Sequence, residues 1–433
     1  MISPWRAVEP IDSAAYGALR RRAIFDCCKW DPQVGDAAVI ARTPLIVDRG
    51  AWTEVAALAE ALARETRAAE AELIRRPDLH ARLGLPRGTR QSLRKAAHLE
   101  LGTLNSELRT WAREPVQSSQ FQVQSSNVRL IRFDFHFTTD GWRISEANVD
   151  VPGGLNEAAG FPPLFAPYYA GATAIGDPVQ SYVDALSAAT PDGGALALVH
   201  ATAYSDDEQM MAFVARRLER TGRIAHLASP AHLRWRHRRA HLHASWWSGP
   251  LDLVVRFFPA EWLYQLPRAC EADYLFSGSR TPLSNPATAI LVQSKRFPTI
   301  WNDLDTPLPV WRALLPETRD PRDVAWRGSP DWVVKPALGR VGEGVGITGI
   351  NDAADWKKIS RAIRWSPSRW VAQRRFQTVS IPTAGGASYP CLGVYTLNER
   401  AIGAYGRVAS RPLIDSLAQD AAVLVTDVGT RKG

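Results

Sequence analysis

Cysteine and methionine are scarce, four and three in 433 residues. Four thiols are too few for a disulfide framework in a chain of this length. Cys27 and Cys28 are adjacent, Cys270 and Cys391 are isolated, and no CxxC or Cys/His zinc spacing occurs. Reduced, buried thiols are the expectation. Long apolar runs are missing too: nothing approaches the ~20 residues of a membrane helix, and the quietest stretch, Val151 to Ile175, is broken by glycine and proline. The first residues, Met1-Ile2-Ser3-Pro4-Trp5-Arg6, lack the basic-then-apolar order of a signal peptide. No Walker GxxxxGK[ST] loop and no Ser/His/Asp or Cys/His nucleophile signature is present. These absences predict a soluble, cytoplasmic protein without a membrane partner.

What is present is ordinary in bulk and uneven in detail. Hydrophobic residues make up 45% and charged residues 22%, which suits packed cores, and at about 150 residues per domain the length predicts two or three domains. The formal net charge is +8, yet eight arginines and one acid, Glu219, fall between Arg216 and Arg239. The remainder is nearly neutral, so a uniformly basic nucleic-acid coat is excluded. His232, His237, His241 and His243 cluster in the overlapping stretch 232–243 without carboxylates or a compact metal spacing. Read as a strand, the segment puts Arg234, Arg236 and Arg238 on one face, a basic edge that discourages edge pairing. Trp235, Trp246 and Trp247 nearby make RNA a conceivable but less favoured partner.

Along the chain, Val55, Leu58, Ala59, Leu62, Ala69 and Leu73 recur at helical spacing and predict a helix over 51–76, stopped by Pro77. Residues 128–150 switch to period two around Thr139-Asp140-Gly141, a β-hairpin. An α/β pattern follows: a strand over 195–199, a helix capped by Ser205-Asp206-Asp207 and running to Arg220, and strands over 223–227 and 251–258. These predict a small parallel-sheet unit. Beyond residue 286, strands are expected over 332–335, 345–348, 370–376, 391–397 and 401–407, with one helix over 352–365.

The hairpin carries the most chemistry. With a three-residue loop, Thr138 pairs with Trp142, which sets Asp134 opposite Glu146 and Arg132 opposite Asn148 on one face. Phe133, Phe135 and Phe137 take the other. Two carboxylates beside an amide oxygen make a hard-oxygen site suited to Mg²⁺, and an adjacent arginine suits an anion or a transferring phosphoryl group. A two-residue turn would instead send Glu146 to the phenylalanine face. Alone, the pattern reads better as a solvated hairpin face with an incidental Asp/Glu pair.

A second feature is Trp332-Val333-Val334-Lys335-Pro336-Ala337-Leu338-Gly339-Arg340-Val341-Gly342-Glu343-Gly344-Val345-Gly346. A strand delivers Lys335 to its end, and Gly339, Gly342 and Gly344 let backbone N–H groups approach phosphate oxygens. A strand–flap–strand cover over a triphosphate fits this order. Lys295, next to Arg296, supplies a further cation, and Trp370-Val371-Ala372-Gln373 is a strand whose Gln373 end could meet an adenine edge.

In this order the pieces resemble the glutathionylspermidine synthase-like, circularly permuted ATP-grasp ligases. The resemblance rests on Arg132-Phe133-Asp134, Glu146-Ala147-Asn148-Val149-Asp150-Val151-Pro152, Val255-Arg256-Phe257-Phe258-Pro259-Ala260-Glu261-Trp262, Ser294-Lys295, Lys335-Pro336 and Ala404-Tyr405-Gly406-Arg407. It implies an α/β ATP-grasp fold with a small parallel-sheet pre-ATP-grasp domain. The permuted part of the core, with the helical region and hairpin, would span 1–176, a small substrate-side domain 177–280 and the nucleotide-binding lobe 281–433. It also implies that Asp134, Glu146 and Asn148 hold Mg²⁺, that Lys295 and Lys335 bind ATP, and that Arg132 meets the transferring phosphate. Arg407, with Arg411 as the alternative, would stabilise acylphosphate formation. The activity implied is an ATP-dependent ligation of a small-molecule carboxylate to an amine. The rivals are a catalytically silent nucleotide-binding or partner-docking protein and, last, a nucleic-acid-associated protein. No amidase domain and no acidic run for a polyamine is evident, so glutathione and spermidine are not carried over.

Overall fold

Two aspartates set the starts of the N-terminal helices. Asp12 accepts hydrogen bonds from the N–H groups of Ala14 and Ala15 and caps α1 (Ser13–Asp26). Asp48, closing strand β1 (Leu45–Asp48), accepts from Gly50 and Ala51 and caps α2 (Arg49–Arg75). The computed structural model describes residues 3–30, 33–34, 37–98, 128–340, 342–383 and 386–427. Helix α2 buries Val55, Ala59, Leu62, Ala69 and Leu73, as its spacing requires. It also buries Glu70 and Glu72, which the apolar pattern does not foresee. Glu72 accepts from the N–H groups of Asp305 and Thr306, and Glu70 from Arg129 and Thr288 Oγ1.

The hairpin forms from β2 (Leu130–Thr138) and β3 (Gly141–Asn148). Its turn corrects the expected one: Thr138 pairs with Gly141, not Trp142, so the loop has two residues, Thr139 and Asp140. The pairing then slips between Asp134/Glu146 and Phe135/Ile144, leaving Ser145 as a bulged residue. The bulge cancels the shorter turn, and Glu146 faces Asp134 after all.

Helices α3 (Leu155–Phe165) and α4 (Pro178–Ala188) lead to the expected α/β unit. Strand β4 (Ala195–His200), helix α5 (Ser205–Glu219) and strand β5 (Ile224–Ala228) form its first half. No side chain caps α5, contrary to the role assigned to Ser205-Asp206-Asp207; the acids lie inside the first turn, where the helix dipole favours them. The arginine-rich segment is a hairpin of β6 (Leu233–Arg236) and β7 (Arg239–His243), extended by the short strand Ser248–Pro250. His237 and Arg238 form its turn at positive φ, so Arg238 does not share a strand face with Arg234 and Arg236. Strands β8 (Leu253–Phe257) and β9 (Leu283–Ser284) complete an all-parallel sheet in the order β9-β8-β4-β5.

The C-terminal part contributes β10 (Trp332–Pro336), β11 (Gly346–Ile347), α6 (Ala353–Trp365) and β12 (Trp370–Arg374). Then follow β13 (Gly386–Leu397), β14 (Arg400–Ala409), β15 (Gln419–Ala421) and β16 (Val423–Thr426). The short strand Thr318–Arg319, β12, β10 and β11 make one sheet. In the central sheet, ordered β15-β14-β13-β2-β3, the hairpin joins strands from the far end of the chain. A further sheet places β16 between β1 and Ala172–Ala174. Phe133, Phe135 and Phe137 fill the core side of the hairpin with Trp142 and Trp311. The opposite face is left for polar residues.

Candidate active site

That polar face gathers the hairpin's charged side chains. Arg132 donates through Nε and Nη2 to the two oxygens of Asp134, at 2.7 and 3.0 Å, and Asn148 Nδ2 donates to Asp134 Oδ2 at 3.1 Å. Arg132 Nη1 also reaches the Gly153 carbonyl at 2.5 Å, and its guanidinium lies 5.2 Å from the centre of the Tyr405 ring. Gly393, opposite Asp134 on β13, makes the room: a Cβ there would sit 2.7 Å from Arg132 Cδ. Nothing in the sequence around Gly393 signals that role.

Both expected lysines meet the hairpin. Lys295 Nζ lies 2.8 Å from Glu146 Oε2 and donates to the Gly339 carbonyl at 2.7 Å. Lys335, near the end of β10, donates to the Ser145 carbonyl at 3.2 Å and to Gln373 Oε1 at 2.7 Å. The bulge therefore does two things. It restores the facing of Glu146, and it offers a main-chain acceptor to Lys335. Gln373 in turn donates to Thr318 Oγ1 at 3.1 Å. The Gln373 side chain thus orients Lys335 from the end of β12.

Electrostatics follow from burial and these pairings. Burial alone would raise Glu146, but Lys295, then Lys335 and Arg132, hold its carboxyl down at about 2. Burial depresses Lys335 to about 8; neighbouring Lys295 adds to this and Glu146 opposes it. Burial and Lys335 also keep His136 down at about 4, so it is neutral near pH 7, with Nε2 3.1 Å from Ser145 Oγ. Burial, then Asp134, pushes the Cys391 thiol well up, so no thiolate forms at this face.

The glycine-rich loop between β10 and β11 is clasped on two sides. Gly342, at φ +70°, packs so closely that a Cβ would lie 2.5 Å from the Ile414 carbonyl; Gly344 shares that φ. Arg340 leaves the loop to bind Glu261 Oε1 at 2.7 Å, 4.9 Å from the centre of the Trp262 ring. Val341 is outside the described residues. Arg407, opposite Cys391 on β14, donates to the carbonyls of Asp415 (2.7 Å) and Ala418 (3.1 Å). Arg411 is instead bound to Asp415 at the surface. Of the two arginines, only Arg407 stands beside the hairpin face, with Cys391 and Arg132 in its electrostatic surroundings.

A buried network behind Tyr405 escaped sequence reasoning. Lys29 contacts Glu157 at 2.6 Å and Asp420 at 3.1 Å, and feels Asp206. Tyr405 donates to Asp420 at 2.5 Å. Glu157, only 6% exposed, has one oxygen without a partner among the described residues. Its acids come from three separated segments, so no acidic run announces them.

Among the described residues no group of three or more His, Cys, Asp or Glu is placed so that it could hold a metal ion. A cation here would rest on two carboxylates and an amide oxygen. That donor set fits Mg²⁺, which keeps waters and accepts phosphate oxygens for its other positions.

The architecture is that of an ATP-grasp protein. A glutathione synthetase-like effector from Globodera pallida superposes with a TM-score of 0.61 at 10% identity, covering 97% of this chain and all of that one. A putative gamma-glutamylcysteine synthetase from Methylobacillus flagellatus gives 0.42 at 14% identity over 68% of this chain and 80% of that one. D-alanyl-alanine synthetase A from Vibrio cholerae gives 0.32 at 15% over 51% and 69%. No curated protein sequence matches the chain. The family described as glutathionylspermidine synthase preATP-grasp matches residues 100–425, and the chain belongs to it.

Proposed function

We propose that the protein is an ATP-dependent carboxylate–amine ligase. A substrate carboxylate oxygen attacks the γ-phosphorus of ATP and ADP leaves. The amine then attacks the acylphosphate carbon, phosphate leaves, and the amine's surplus proton is lost, giving an amide. Such chemistry asks for positioning and charge neutralisation rather than a protein nucleophile. The observation that carries the reading is the convergence of Lys295 and Lys335 on the bulged hairpin, at Glu146 Oε2 and the Ser145 carbonyl.

In this reading Lys295, Lys335 and the N–H groups around Gly339, Gly342 and Gly344 hold the triphosphate. Asp134, Glu146 and Asn148 would hold Mg²⁺, which neutralises phosphate charge when bound. Arg132 and Arg407 face the transferring phosphoryl group and the acyl oxygen, where fixed cations stabilise developing charge. Gln373 keeps Lys335 aimed. The carboxylates Glu157, Asp420 and Asp206 around Lys29 suit the approach of a cationic amine past Tyr405. The domain limits follow the same reading, with 177–280 on the substrate side and 281–433 on the nucleotide side.

An ADP-release screen of acid–amine pairs, with mass detection of the condensed product, tests this. Glu146→Ala and Lys335→Ala should each lower substrate-dependent ADP release by about a hundredfold or more while melting like the parent. Wild-type turnover in either variant refutes the assignment, and nucleotide binding without turnover across the panel favours the silent alternative.

A further inference from the structure

Two concavities of the described residues lie away from the hairpin cleft, along α1, α3 and α5. One, of ≈ 390 Å³, runs between these helices over a floor that includes Gly160, Leu164 and Phe213. The other, of ≈ 370 Å³, lies between α5 and Trp246. Arg216 lines both. Arg22, Arg217 and Arg220 line the first beside it. Arg22 is neutralised by Asp26 and Arg217 by Asp177. Arg216 meets only the Phe25 carbonyl, at 3.2 Å, so its charge and that of Arg220 have no carboxylate among the described residues. Phe25 and Trp246, beside these arginines, are 74% and 56% exposed, although large apolar side chains ordinarily avoid water. This is the front half of the arginine-rich segment, and the ligase reading makes no use of it.

We infer that the two grooves flanking Arg216 form a docking surface for an acidic segment of a partner protein. A large apolar or aromatic side chain of that segment seats on the floor at Leu164 and Phe213, and its carboxylates meet Arg216 and Arg220. Charge complementarity chooses an acidic occupant. The short concavities and apolar floor suit side chains; a nucleic-acid backbone needs a longer cationic track. Arginine forks recognise carboxylates bidentately, and exposed aromatics beside them supply the desolvated anchor typical of binding hot spots.

Panning a random-peptide display library against the full chain, followed by fluorescence polarisation of the labelled consensus peptide, tests the surface. The expected result is a consensus joining Asp or Glu to a Phe, Trp or Leu anchor. Arg216→Glu with Arg220→Glu should weaken its binding at least about tenfold, and Phe25→Ala by a smaller factor, with unchanged melting. Absence of an acidic consensus, or equal binding by the double variant, overturns the inference. So does displacement of the peptide by polyuridylate RNA with a steep salt dependence, which would make the face a nucleic-acid surface. Concentration-dependent dimerisation of the parent chain that the double variant loses would reassign the face to self-association.

Discussion

Lys335 shows what a single buried cation does at this site. Burial holds it at about 8, below its usual value near 10.5, so it is mostly charged at neutral pH and loses that charge as pH rises through 8. Nucleotide affinity should therefore fall between pH 7 and 9 with the loss of one proton, and titration calorimetry with a non-hydrolysable ATP analogue measures it. In Lys335→Met the binding should be weak throughout and flat over the same range; a parent-like pH profile in that variant would assign the titration elsewhere. At this scale the sequence was readable for the charged residues. Arg132, Asp134, Glu146, Lys295 and Lys335 announce themselves by type and position. Gly393 and the Lys29–Glu157–Asp420 network do not, because their meaning lies in neighbours hundreds of residues away.

Among the elements, the hairpin teaches the most. Its alternation marked both strands and set Asp134 opposite Glu146 as observed, but the turn length was misjudged: one extra residue at Ser145 offsets one missing from the turn. No local signal separates a three-residue loop from a two-residue loop plus bulge; here the bulge is held by His136 across the hairpin and by Lys335 from a distant strand. Deleting Ser145 should turn the carboxylate pair out of register and abolish Mg²⁺-dependent binding of the ATP analogue, whereas Ser145→Ala, which keeps the main-chain carbonyl, should retain most of it. Calorimetry of the two variants side by side decides. The hairpin's far end is fixed by another device. Arg256 on β8 is fully buried, donates to Asp150 Oδ1 at 2.5 Å and to the carbonyls of Asn285 and Phe258. Asp150 Oδ2 accepts from the N–H of Ala260. Two motifs noticed separately, one ending in Asp150-Val151-Pro152 and one containing Arg256, are thus halves of one joint. Asp150→Ala leaves a buried guanidinium unpaired and should cost about 3–5 kcal/mol in urea unfolding. A loss below 1 kcal/mol would show that the joint does not hold the α/β unit to the hairpin.

For the molecule as a whole, the order of segments was legible and their assembly was not. Alternating strand and helix patterns gave the parallel unit and the C-terminal strands, yet strand periodicity says nothing about partners. The pairing of β13 with β2, and of β16 with β1, joins stretches from opposite parts of the chain. Strand β16 is internal to its sheet, hydrogen-bonded to β1 on one side and Ala172–Ala174 on the other. Ending the chain after Ala421 should therefore leave an open seam over a buried core, and the truncated protein should be recovered insoluble or melt far below the parent; equal melting temperatures would contradict this placement. The same seam has a consequence for biosynthesis. Since β2 and β3 leave the ribosome long before β13, at roughly 5–20 residues per second the nascent hairpin waits on the order of tens of seconds for its sheet partner. Throughout that interval its phenylalanine side and open edge are targets for holding chaperones, and completion of the polar face that gathers Lys295 and Lys335 is necessarily a late event in translation.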